Sequence, residues 1–225
     1  MSDTDSFIDE VTEEVRRDRL YGMLRKYGWI GGLVVLLIVG GAAWSEYQKA
    51  QARAQAEALG DGMLAALTEE TPDARVSALE ELSAENPTAG ALVAMLAASE
   101  AQQGDNLVTA VAELDAIAVN GDVPVIYRQI ASFKALTLQA ETLDAATRRQ
   151  GFEALATAGS PLRLLASEQL ALIDVAEGET EAAIERYQNI LQDAAVTSDL
   201  QQRALQVIVA LGGTPDLENV PTTGN

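Results

Sequence analysis

The chain contains neither histidine nor cysteine, so its commonest general base, its commonest metal ligand and any thiolate nucleophile are missing from the start. Chemistry would have to come from a carboxylate pair, from a serine activated by lysine, or from a metal held by Asp and Glu alone. Asp9, Glu10, Glu13 and Glu14 form one dense acidic group. They alternate with Phe7, Ile8, Val11 and Val15 at helical spacing, so they read as the solvated face of a short amphipathic helix started by Ser6 and Asp9. Ser160 precedes a proline at an expected first helical position, and Ser167 lies inside a helical apolar pattern, so both read as structural. The sequence has no glycine-rich phosphate loop. The expectation is a protein that is not an enzyme, with no cofactor and no metal.

Charge narrows the partners. The net charge is −19. Residues 1–26 hold seven acidic and five basic side chains, and the remainder holds 27 acidic and ten basic. A body this acidic is repelled by phosphate backbones and by anionic lipid headgroups, which excludes nucleic acid as a partner. Cysteine-free composition fits either side of a membrane and identifies no compartment.

What has to be positioned is set by residues 27–45, where no charge occurs between Lys26 and Glu46. Nineteen residues at about 1.5 Å each span roughly 28 Å, close to the ~30 Å hydrocarbon core of a bilayer. Arg16, Arg17, Arg19, Arg25 and Lys26 precede the stretch and only Lys49 and Arg53 follow closely, which predicts a cytoplasmic N-terminus. Tyr21, Tyr27 and Trp29 at one end and Trp44 and Tyr47 at the other match interfacial aromatic belts. Gly28 and Gly32 give a GxxxG spacing suited to helix packing. Gly40-Gly41-Ala42-Ala43 fits the small-residue rule for signal cleavage, but the preceding segment is long and contains acids, and a helical pattern follows Trp44. An uncleaved anchor is therefore expected. The head, residues 1–26, reads either as a cytosolic extension or as a docking helix for a membrane-embedded partner.

Beyond the anchor the pattern is helical and repetitive. Residues 46–87 read as a juxtamembrane helical segment weakened by Gly60 and Gly62, with a short helix from Pro72. Over residues 88–211, turns at Gly104, Glu141 and Gly178 recur every 37 residues. Helix-turn-helix units at this period are the signature of a tetratricopeptide-like α-solenoid, here about three degenerate hairpins plus a capping helix near 198–211. Ala171, Gly178, Ala183 and Tyr187 fit the repeat best; Ala97, Gly104, Ala110 and Leu114 fit with one extra residue, and the middle unit is degenerate. Pro124 is expected to open one helix and Ser160-Pro161 another, and residues 212–225 are expected to be a disordered polar tail. The fold class is all-α.

In such repeats the first helix of each hairpin lines the concave face. By register this offers Ala91, Ala94, Ala98 and Ala101, then Arg128, Ala131, Ala135 and Leu138, then Leu165, Glu168, Leu172 and Val175. The face is small and apolar and has no basic clamp for a C-terminal carboxylate. It suits a partner's helix or a nascent chain, unless the superhelix buries these residues itself.

Three stretches carry a resemblance: RRDRLYGMLRKYGW (16–29), AENPTAGALVAMLAASEAQQGD (84–105), and SPLRLLASEQLALIDVAEGETEAAIERYQNIL (160–191) followed by LQQRA (200–204). With them the chain resembles the YfgM-like ancillary subunits of the SecYEG translocon, in particular their alphaproteobacterial relatives. The resemblance implies a single-pass inner-membrane protein with periplasmic repeats, associated with the translocon and with a membrane-anchored periplasmic chaperone. Its motifs are architectural, so an assembly scaffold for a respiratory or cell-division complex of the envelope is the alternative.

Overall fold

Ala, Leu, Glu and Gln dominate between the turn residues, and the chain folds as helices. The computed structural model describes residues 3–84 and 86–217, with side chains from Arg25 onward. Among the described residues there are nine helices and no strand: α1 (Asp3–Ala66), α2 (Pro72–Glu80), α3 (Pro87–Gln103), α4 (Leu107–Val119), α5 (Val125–Leu138), α6 (Ala145–Leu155), α7 (Arg163–Glu177), α8 (Thr180–Leu191) and α9 (Ser198–Ala210). The chain divides into two compact units, Met1–Ala58 and Leu59–Asn225.

In the first unit, α1 is already helical at Asp3, ahead of the expected start at Ser6. The amphipathic pattern of Phe7, Ile8, Val11 and Val15 and the arginines before Arg25 fall on side chains outside the described residues. From Arg25 to Ala58 every side chain is exposed. Trp29, Leu36 and Trp44 stand open at 68%, 71% and 65%. This is the one described helix long and apolar enough to cross a membrane. Nothing lies within 4 Å of a Cβ placed on Gly28 or Gly32, so the GxxxG pair has no packing neighbour among the described residues.

The second unit is a serial stack in which the last two turns of α1, from Leu59, are followed by α2 to α9. Successive helices from α2 onward pack against one another, as antiparallel neighbours joined by short loops must. Caps mark the starts. Thr71, Asn86, Asn106, Asp144 and Thr197 each accept a hydrogen bond from the backbone N–H three residues on, and each such cap contributes about 1 kcal/mol. Proline follows the cap in α2 and α3, where its missing N–H costs nothing.

The two glycine turns work differently. Gly178 ends α7 in the left-handed region, φ +81°, which glycine adopts without a steric penalty. Gly104 has φ −84°, and the positive φ belongs to Asp105 at 58°. Gly104 is small for another reason, since a Cβ there would meet the Pro72 ring at 2.8 Å. Gly60 and Gly62 do not interrupt α1, and Gly62 lets the Leu82 side chain come within 2.9 Å of its Cβ position.

Two expected helix starts move. Pro124 is the residue before α5, not its first helical residue. α7 begins at Arg163 rather than Pro161 because Ser160 closes its own short turn: its Oγ accepts from Leu162 N–H at 3.3 Å and its carbonyl accepts from Arg163 N–H. Of the tail, residues 212–217 are described, and Thr214 and Asp216 bond to Gln188 and Gln192; residues 218–225 lie outside the described residues.

Ala97, Ala110, Leu114, Ala171, Ala183 and Tyr187, the positions singled out by the period, are all buried. The core is three clusters along the stack. The first joins Ala66, Leu79, Ala97, Leu114 and Ala131, with Leu59, Met63 and Leu82 against it. The second is centred on Phe152, which meets Phe133 edge-on at 5.6 Å between ring centroids. The third joins Ala171, Tyr187, Leu191, Leu200 and Ile208.

Candidate functional site

The twelve positions expected to line one groove separate by helix. On α3, Ala91, Ala98 and Ala101 are buried in the first core and Ala94 packs against it. On α5, Ala131 and Ala135 are buried, Leu138 lies against the same core, and Arg128 is half-buried with its Nε lacking a hydrogen-bond partner. The α3 and α5 stretches therefore do not form an open groove. The cause is size: an alanine stripe lets neighbouring helices approach until the methyl groups have no solvent left.

α7 behaves otherwise. Leu165 and Leu172, two turns apart on one face, are 37% and 43% exposed, and Val175 is half-buried. Glu168 between them is held by α9: Arg203 Nε and Nη2 donate to its two oxygens at 2.8 and 2.9 Å. Larger side chains keep this face from closing over.

Beside it, between the starts of α7 and α9, opens a cleft of about 430 Å³ lined by Ser160, Arg163, Leu164, Leu165, Leu200 and Arg203 among others. Its floor is leucine and its rim is polar. Both rim arginines face carboxylates already, Arg163 in a two-pronged pair with Asp193 and Arg203 with Glu168. With its cations neutralised in this way, the cleft offers apolar surface plus spare guanidinium N–H donors, the chemistry of a site for a short apolar protein segment. Asp193 is held below the usual carboxylate range by its bonds from Arg163, against the opposing effect of burial. Burial, helped by the Glu168 charge, pushes the Tyr187 phenol up to about 12, so it stays neutral.

A second polar centre went unread in the sequence. Asp174, 1% exposed, accepts from Arg149 of α6 on one oxygen and from Arg186 of α8 on the other, the latter at 2.9 Å. Arg149 also reaches Glu177. Burial by itself would raise the Asp174 carboxyl, and the bonds and charges of Arg186 and Arg149 hold it below its ordinary value. Arg75 of α2 bonds Glu100 of α3 in the same manner. Both pairs join residues 25 apart. Glu100 and Asp174 each stand four residues before a turn glycine, and the two pairs are separated by twice the 37-residue interval. The equivalent middle positions are Ala112 and Thr137, which cannot pair. Carboxylate-before-turn with an arginine 25 residues upstream is the signal that would have located these bonds.

No family model, curated protein or solved structure matches the chain.

Proposed function

We propose that the chain is a membrane-anchored protein-binding module: one N-terminal span, N-terminus cytoplasmic, holding a tetratricopeptide-like α-solenoid in the periplasm. In this reading it is an accessory of the Sec translocon that assists secreted or envelope proteins together with a membrane-anchored chaperone, and it performs no catalysis. The observation that carries it is residues 27–45, uncharged and exposed along their whole length. In water this surface far exceeds the few hundred Å² of contiguous apolar area a monomer tolerates, and a bilayer removes the cost. The 37-residue period, the serial helix packing and the open leucines of α7 support a binding module. The translocon and the chaperone rest on the resemblance described above.

Topology is the first test. Reporters fused before Ser6 and after Gly213 are expected on opposite sides of the membrane, the second in the periplasm. A cytoplasmic second reporter overturns the periplasmic account.

The scaffold reading is favoured by one observation, a small cleft whose charges are already paired, which suits a single fitted partner. A photo-crosslinker at Leu172 during secretion separates the two: many client chains favour the translocon accessory, one stoichiometric adduct the scaffold. Leu165→Asp is expected to lower either capture by about tenfold, on the order of 1.4 kcal/mol, without unfolding the chain. Unchanged capture removes the α7 face as the site.

A further inference from the structure

Past α9 the chain turns at Gly212, φ +83°. Gly213 follows so closely against Ile208 and Ile184 that a Cβ would stand 3.0 and 3.1 Å from them. The next three residues lie along α8. Gln188 uses both ends of its carboxamide: Nε2 donates to the Thr214 carbonyl at 2.9 Å and Oε1 accepts from Asp216 N–H at 3.1 Å. One helical turn on, Gln192 Nε2 donates to the Asp216 carboxylate at 3.2 Å. Together they read the backbone on either side of Pro215, which has no N–H of its own to satisfy, and the acidic side chain after it.

We propose that Gln188 and Gln192 form a site for an Xaa-Pro-Asp segment, and that its occupant in trans is the same segment of a second copy of this chain, exchanged about Gly212. The segment that fits is already seated there, so no new complementarity is required. The bonds from Gln188 and Gln192 are solvent-exposed, the class of contact that opens first. Gly212, in the left-handed region with open space around its Cβ position, supplies the hinge, and exchanging an identical element between copies adds no unfamiliar contact. The copies repel through their acidic surfaces, so exchange strengthens as salt screens them.

The absence of cysteine makes the test clean. Full-length chain in detergent carrying only Gln192→Cys is mixed with a differently tagged full-length chain carrying only Asp216→Cys, and the mixture is oxidised. A disulfide-linked hetero-adduct is expected. Its yield is expected to rise severalfold when the Gln192→Cys chain is stopped after Gly213, which removes the competing segment in cis, and to rise again with salt. Gln188→Ala in the stopped chain is expected to return the yield to background. The proposal is overturned if the stopped chain gives no hetero-adduct. It is equally overturned if Glu153→Cys on the exposed face of α6 captures Asp216→Cys as well as Gln192→Cys does, since that marks random collision.

Discussion

Asp174→Asn is expected to destabilise the repeat unit by about 3 kcal/mol, the low end of the range for breaking a buried ion pair, because the two arginines keep partial access to water. The variant strands Arg149 and Arg186 against a neutral amide at the meeting point of α6, α7 and α8. Urea unfolding followed by helical circular dichroism measures the loss. The pH dependence identifies the cause. The native Asp174 carboxyl titrates below its unfolded value, so its contribution is fully present above the unfolded pKa and disappears as pH falls through the native one. Wild type is therefore expected to lose stability below about pH 4, and Asp174→Asn to lose less over the same interval. Parallel acid profiles for the two proteins would contradict the assignment. Arg149→Met is a useful companion, since it leaves Arg186 on the carboxylate and should cost less.

The second large effect concerns the end of α1. A chain starting at Ser45 retains Leu59, Met63 and Ala66 against the first core and is expected to unfold with the full-length stability of that unit. Starting at Leu67 removes all three. The loss covers their own burial and the newly wetted faces of Leu79 and Leu82, about 3 kcal/mol, because Leu59 and Met63 are only partly buried. Marginal domains have 5–15 kcal/mol in total, so α2 and α3 are expected to be frayed in the shorter chain. Hydrogen exchange resolved by segment checks this: protection in α3 should collapse while protection in α8 and α9 remains. Uniform protection in both chains would mean that α1 ends as a mere tether.

How legible all this was depends on the residue type. Pro72 announces a helix start because a proline at a first helical position acts locally, whereas Asn86-Pro87, the same arrangement of cap and proline, starts α3 although in the sequence it reads only as the boundary of the preceding segment. Tyr187 and Ala183 followed from the period because one large and one small position per hairpin are enough to place a helix pair. Alanine was ambiguous: Ala98 and Ala101 serve as well for lining a groove as for letting helices touch, and only the approach of α4 and α5 decides. The cleft was missed since Ser160, Leu200 and Arg203 are brought together by the end of the stack, not by any spacing. Pro161 misplaced the start of α7 because a proline in a serine-closed turn looks the same as one at a first helical position. The Arg75–Glu100 and Arg149–Asp174 pairs cross between hairpins and become visible once the positions are aligned on the turn glycines.

The three separate core clusters have a consequence for how the molecule responds to load. Each helix from α2 onward packs chiefly on its chain neighbours, so opening at one point does not require opening everywhere. The Phe152 cluster is the narrow link between an alanine-rich block ahead of it and the Tyr187 block behind. α7, α8 and α9 pack on one another as one block, and opening there transmits little to α2 and α3. Pulled from its ends, the second unit should yield first between α5 and α6, leaving the α7–α9 cleft intact.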